Sequence, residues 1–196
     1  MRPNQLVIIG GGSSITTGVN KGLWSILKGR FTCGINHSYR HFDSTFLCCM
    51  NYMDFYDTNR EELSKLPLIV TCTRPHPSEW EANTILVDKN YRLSGILAID
   101  IGIKILGEGE IYLLGYDYSG SHFYNNKSSI YYDRGFEDRD FGEFNNSKVK
   151  IYNVSINSKI KCFSKISYSK FFKQLDNKQY NQDNLRKEIK RRFNNG

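Results

Sequence analysis

Three features that would assign a chain to a class at once are missing here. There is no apolar run near the roughly 18 residues of a membrane span, no Cys-x-x-Cys pair, and no leader ahead of the apolar run at residues 6–9. We therefore predict a soluble, cytoplasmic protein without a signal peptide. The five cysteines are odd in number and lie mostly within apolar runs, which indicates buried free thiols and disfavours a zinc site.

Two well-known phosphate-binding loops are also incomplete. The run at residues 6–9 leads into Gly10-Gly11-Gly12-Ser13-Ser14, but the dinucleotide fingerprint requires a third glycine where this chain has Ile15. It also requires an acidic residue after the second strand, where this chain has Asn36. The P-loop requires a lysine that residues 10–15 do not contain. These absences disfavour a nicotinamide enzyme and a P-loop nucleoside triphosphatase.

Two short apolar runs end at glycine. Residues 6–9 lead into the glycine loop, and residues 111–114 lead into Gly115-Tyr116-Asp117. Parallel strands of an open α/β sheet deliver their loops to a ligand crevice in this way. Glycine lets backbone N–H groups approach an anion, and Ser13 or Ser14 can begin the next helix. A phosphate-bearing ligand is our first hypothesis, and a plain tight turn is the alternative.

Strand and helix patterns alternate along the rest of the chain. A periodic apolar pattern predicts a helix from residue 94 to a stop at Gly107, and the capping-box spacing from Thr58 predicts a short helix up to Pro67. Further strands are predicted at residues 31–35, 45–50, 68–70, 85–87 and 150–154. This order predicts the α/β class, as a Rossmann-like open, mostly parallel sheet with helices on both faces.

We divide the chain into a nucleotide-binding domain at residues 1–164 and a basic helical extension at residues 165–196. Within the first, residues 116–146 have no sustained periodicity and are predicted to form a lid-like active-site loop. The extension carries nine basic and three acidic residues, so it holds most of the net charge of +7. Its stripe of Leu185, Ile189 and Phe193 predicts a helix that either docks by this stripe or contacts an anionic surface. No specific nucleic acid is predicted.

Three segments, residues 7–15, 93–99 and 110–118, together resemble a known superfamily. It is the Rossmann-like group of bacterial CMP-sialic acid sialyltransferases, archaeal hydroxymethylpterin pyrophosphokinase and flagellin-glycosylation accessory proteins. Residues 153–158 also resemble the Asn-x-x-x-Asn-Ser run of the sialyltransferases. The resemblance covers roughly residues 6–160 and implies the same fold. It also implies a nucleotide or nucleotide-sugar as ligand.

The resemblance implies specific ligand contacts. A phosphate or nucleotide is expected near Gly10, Gly12 and Ser13. Asn36 and Asn51 match asparagines that face the nucleotide or its sugar.

Four further residues are implied on the same grounds. Asp54 matches an acid that some relatives place after strand three. Arg92, Ser94 and Gly95 resemble the Arg-x-x-Ser-Gly opening of the long helix, with one residue fewer between the arginine and the serine.

His122 and Asp117 are the predicted catalytic residues. A histidine with a pKa near 6.5 can accept the proton of an acceptor hydroxyl, and the sialyltransferases carry a histidine base and tyrosines in a mobile lid. Here His122 and Tyr124, with Tyr131 and Tyr132, supply these residue types. Asp117 follows a strand end, where a carboxylate is a ribose or metal ligand or else caps a turn.

Three functions follow as expectations. The first is a nucleotide-dependent transferase that moves a glycosyl unit from a nucleotide-activated sugar, with a homo-oligomer as one way to complete the acceptor site. The second is pyrophosphoryl transfer from ATP to a small alcohol, with Mg²⁺ held by Asp54 and Asp117. The third is a catalytically silent nucleotide-binding or interaction module of viral or mobile-element origin.

Overall fold

The computed structural model describes residues 3–50, 55–72, 83–124 and 139–194. In these ranges the strands pair into one parallel sheet, in the order β5-β4-β3-β2-β1-β6-β7-β8. They are β1 (Gln5–Ile9), β2 (Thr32–Ile35), β3 (Phe46–Cys48), β4 (Ile69–Cys72), β5 (Thr84–Val87), β6 (Gly109–Leu114), β7 (Val149–Asn153) and β8 (Ser164–Lys165). The predicted open parallel α/β sheet is confirmed.

Helices cover both faces of this sheet. They are α1 (Ile15–Val19), α2 (Leu23–Leu27), α3 (Phe55–Leu63), α4 (Ser94–Leu106), α5 (Arg139–Gly142), α6 (Tyr168–Gln174) and α7 (Gln182–Asn194), with a 3₁₀ turn at Asn36–Arg40. Side chains alternate along a strand, so Leu6 and Ile8 join α4 and α7 in one core cluster. Val7 and Ile9 join α1, α2 and α6 in a second cluster on the opposite face.

Two predicted helices had different outcomes. The helix expected from residue 94 to Gly107 is α4, and Gly107 ends it with φ +73°. The helix expected from Thr58 up to Pro67 spans Phe55–Leu63 instead and is kinked at Asn59, so its predicted start and end are both wrong. The Asn59 side chain explains the kink, because its Nδ2 donates to Phe55 O at 2.6 Å and its Oδ1 accepts from Arg40 Nη2 at 2.8 Å.

The C-terminal segment is built into the same core. The predicted boundary after residue 164 falls inside β8, which pairs with β7. Helix α7 docks by its apolar stripe, with Leu185 and Ile189 buried in the α4 cluster.

Part of the basic face of α7 is also engaged within the chain. Arg192 Nη1 donates to Ile105 O at 2.5 Å, and Arg186 Nε donates to Thr45 O at 2.9 Å. No helix in the described ranges is both long and apolar enough to cross a bilayer.

Candidate functional site

A crevice lies where the strand order reverses. The chain extends the sheet from β1 to β5 in one direction and then returns to place β6 on the free side of β1. Ligands of open α/β sheets bind outside the carboxyl ends of the strands at this switch point. A cavity of about 110 Å³ lies there, and its lining includes six of the predicted site residues: Gly10, Gly12, Asn36, Ser94, Gly95 and His122.

The glycine loop is packed tightly against the loop that follows β6. Gly10 N donates to Leu114 O and Gly12 N donates to Gly115 O, both at 2.8 Å. A Cβ on Gly10 would lie 2.9 Å from Gly115 O, which is closer than real Cβ contacts. These glycines are therefore needed for backbone approach between the two loops. Their N–H groups are already bonded, so they are not open to a phosphate in this arrangement.

Asp117 contacts the start of α1 rather than the cavity. Its carboxylate is almost fully buried and accepts two hydrogen bonds from Ser14, from the backbone N at 2.7 Å and from Oγ at 2.5 Å. It thereby takes the N–H at the helix start that a phosphate would need. Asp117 and Ser13 line a second cavity instead. The catalytic role predicted for Asp117 stays a prediction.

Helix α4 begins at the crevice without a side-chain cap. Its N-cap residue is Leu93, whose carbonyl accepts from Ile96 N and Leu97 N but whose side chain cannot accept an N–H group. The N–H groups of Ser94 and Gly95 therefore have no side-chain acceptor, and both residues line the cavity. The position of this turn is held by Tyr116, whose buried Oη donates to Gly95 O at 3.1 Å. A helix of 13 residues presents its positive dipole end here. Of the described elements at the crevice, α4 thus offers the start best suited to an anion.

Two residues of the cavity wall have strained backbones. Asn36 and Tyr118 both have φ +48°, and no other described non-glycine residue has a positive φ. Asparagine tolerates this conformation, whereas a tyrosine adopts it rarely. Tyr118 is held by aromatic packing against Phe141, with ring centroids 5.3 Å apart. Such strain is concentrated at binding and catalytic sites. Sequence reasoning missed Tyr118 because nothing in a tyrosine's identity signals positive φ.

His122 is fixed over the glycine loop. The backbone of His122 pairs with that of Gly12 in an antiparallel bridge, and the neighbouring Phe123 N donates to Gly11 O at 2.9 Å. The imidazole stacks on the Tyr124 ring at 5.0 Å and 7°. Burial lowers the pKa of His122, although a hydrogen bond with the Gly11 backbone opposes this. The balance favours the neutral imidazole, which is the form able to accept a proton.

The remaining predicted residues lie elsewhere. Arg92 is outside the cavity lining and forms an ion pair with Asp140 of α5 at 3.0 Å. Asn51 and Asp54 lie outside the described residues, as do Tyr131 and Tyr132. Among the described residues, no three His, Cys, Asp or Glu side chains are grouped to hold a metal ion. The movement of a lid over the crevice stays a prediction, since residues 125–138 are not described.

The fold and the crevice define a class, the open parallel α/β proteins with a ligand cavity at the switch point between β1 and β6. Comparisons of the chain with protein-family models, curated proteins and solved structures found no match. We therefore infer the function from the geometry of the crevice and from the motif resemblance.

Proposed function

We propose that the crevice binds a nucleotide and that the protein is a nucleotide-dependent transferase, moving a glycosyl unit from a nucleotide-activated sugar. One observation carries the proposal: a helix start without a side-chain cap, a polar residue with a strained backbone and a histidine meet at the switch point of a parallel sheet. The motif resemblance to the sialyltransferase group supports the same class of reaction.

The size of the cavity determines which part of the nucleotide it takes. An engineered cavity of about 150 Å³ in another protein holds one benzene molecule, so about 110 Å³ accommodates a single ring rather than a whole nucleotide. We assign the base or the ribose to this space, between Asn36 and Tyr118. The phosphate then lies at the first turn of α4, where Ser94 and Gly95 offer N–H groups and a hydroxyl.

The chemistry assigned to His122 is that of a general base. An acceptor hydroxyl oxygen attacks the anomeric carbon of the donor, and the bond from this carbon to the phosphate oxygen breaks. The phosphate leaves with the electron pair of that bond. The ring nitrogen of His122 that is not bonded to the Gly11 backbone takes the hydroxyl proton. Burial lowers the pKa of His122 and so favours the neutral form, which is the form that acts as a base.

A charge placed at the start of α4 tests the phosphate position. The variant Ser94→Asp adds a carboxylate that stabilises a helix N-terminus but repels a bound phosphate. The matched control is Asn181→Asp, which adds the same charge at the start of α7. There Asn181 Oδ1 already accepts a hydrogen bond from Asn184 N at 2.9 Å. Each protein is heated with CMP, CDP, UDP, GDP or ATP, with and without Mg²⁺.

A nucleotide at one hundred times its Kd adds about 2.7 kcal/mol of stability, which corresponds to a rise of roughly 5–10 °C in Tm for a chain of this size. We expect this rise in the parent and in Asn181→Asp, and its loss in Ser94→Asp, whose ligand-free Tm is unchanged or higher. Loss of the rise in both variants, or in neither, contradicts the assigned phosphate position.

The ligand pattern separates the competing functions. A rise that does not need Mg²⁺ supports glycosyl transfer, whereas a rise only with ATP and Mg²⁺ supports pyrophosphoryl transfer. Binding without turnover that survives His122→Ala supports the silent module. No rise with any nucleotide rejects both enzyme hypotheses.

A further inference from the structure

A second cavity of about 360 Å³ lies beside the crevice, and the two share Ser119 in their linings. Eight of its thirteen lining side chains carry a hydroxyl. We call it the hydroxyl groove, and its walls include Ser13, Thr17, Asp117, Ser155, Tyr168 and Ser169. These residues come from the glycine loop, α1, the loops after β6 and β7, and the first turn of α6. Loops from both sides of the switch point therefore build it.

Tyr168 supplies an unsatisfied polar group at this groove. The residue is only 5 % exposed, and its ring packs directly on Gly18 of α1. Its Oη is buried and makes no hydrogen bond of normal geometry among the described residues. The nearby Ser14 hydroxyl, which partly opposes the rise in the Tyr168 pKa caused by burial, donates its own hydrogen bond to Asp117. Buried tyrosine hydroxyls are normally bonded, because leaving one unpaired costs about 1–3 kcal/mol. An unpaired hydroxyl beside a polar cavity therefore indicates a missing partner.

Asp117 also has bonding capacity left. A carboxylate can accept about four hydrogen bonds, and Ser14 supplies two of them. The cation in the described lining is Lys21, which is exposed and whose Nζ lies 3.5 Å from Ser169 Oγ. A phosphate in the groove would therefore face the negative charge of Asp117 with one solvated lysine to offset it. A neutral ligand avoids this cost.

We infer that the hydroxyl groove binds a neutral polyhydroxylated ligand of the sugar class. Sugar hydroxyls donate and accept, as the serine, threonine and tyrosine hydroxyls of the groove do. The apolar C–H face of a sugar can pack on Ile156, which borders the groove and is 63 % exposed. The groove is a site in its own right, while its use as the acceptor site rests on the proposed function.

Saturation-transfer NMR of the full chain tests the inference. The probes are methyl β-galactopyranoside, N-acetylglucosamine and glucose, with glucose 6-phosphate as the charged counterpart. Ser169→Trp fills the groove from an exposed position of α6, and Ser64→Trp makes the same change at an exposed site just beyond α3. Tyr168→Phe removes the unpaired hydroxyl alone.

We expect at least one neutral sugar to bind the parent and Ser64→Trp, and about tenfold weaker binding by Ser169→Trp. Tyr168→Phe should weaken sugar binding by about three- to tenfold, the range of one hydrogen bond, and should leave the ligand-free protein as stable or more stable. A tyrosine that only supports the fold would show the opposite, a loss of stability with unchanged binding.

Several results overturn the inference. One is the absence of saturation transfer to any neutral sugar. The others are equal sugar binding by Ser169→Trp and Ser64→Trp, and tighter binding of glucose 6-phosphate than of glucose. CMP or UDP is then added to the same NMR samples. Nucleotide binding without sugar binding rejects the groove and leaves the proposed function intact, whereas sugar binding without nucleotide binding supports the groove and counts against the proposed function.

Discussion

Substitution of Gly12 by alanine should destabilise the protein strongly. A Cβ at this position would lie 2.6 Å from Asp117 Oδ2 and 2.7 Å from Gly115 O. One of these atoms is backbone and the other belongs to a carboxylate held by two bonds from Ser14. Neither can move freely, so the clash must be relieved by separating the two loops.

The magnitude has two parts. Overpacking of a tight site costs about 1–3 kcal/mol, and displacement of Asp117 weakens hydrogen bonds to a charged group, worth about 1.5–3 kcal/mol each. Since relaxation relieves part of the first cost at the expense of the second, we expect a loss of about 2–4 kcal/mol. This corresponds to a fall of roughly 5–15 °C in Tm.

Urea denaturation at neutral pH measures this loss, with Gly142→Ala as the matched control. A Cβ on Gly142 meets nothing within 4 Å and the residue lies in α5, so its replacement should change stability by less than about 1 kcal/mol. In the background of Asp117→Ala, Gly12→Ala should cost at least about 1 kcal/mol less, because the clashing carboxylate is gone. Equal losses for Gly12→Ala and Gly142→Ala would refute the reasoning.

Two further predictions concern pH and the C-terminal helix. Burial is the main cause of the lowered pKa of both His37 and His122. As the pH falls below 6.5, these histidines therefore bind protons in the unfolded state before they do so in the folded state. The free energy of unfolding should be full above pH 6.5 and fall as the pH drops towards 5. Urea titrations at pH 5, 6 and 7 should show a shallower fall for His122→Gln, and an unchanged slope would contradict the burial of this imidazole. Ile189→Ala, at a fully buried position of α7, should lower stability by about 2–4 kcal/mol. Lys187→Ala on the exposed side should change stability by less than about 0.5 kcal/mol, and similar losses for both would mean that α7 does not dock by its apolar stripe.

The elements that sequence reasoning predicted well are those with a local signal. Helix α4 has a 3.6-residue apolar period and ends at a glycine with positive φ, and β1 and β6 are apolar runs that end at glycine. The meeting of their loops at one sheet edge followed from parallel pairing alone. Element type, sheet class and the location of the crevice were therefore within reach of the sequence.

The hydrogen bonds inside the site could not be predicted from the sequence. The bond from Ser14 to Asp117 joins residues 103 positions apart, and the sequence does not indicate that this carboxylate would occupy the start of α1. The kink in α3 likewise depends on Arg40, 19 positions from Asn59. Such contacts are set by tertiary packing, which overrides a local capping signal.

This long-range bonding changes where an anion can bind. Three N–H groups at the glycine loop and the start of α1 already donate hydrogen bonds to β6 and the loop after it. They belong to Gly10, Gly12 and Ser14. A phosphate placed there would have to displace protein acceptors, one of them a carboxylate of the same charge. The start of α4 offers N–H groups without a side-chain cap and lies in the same cavity. The glycine loop therefore shapes the crevice, and α4 is the element from which we expect an anionic ligand to gain its binding energy.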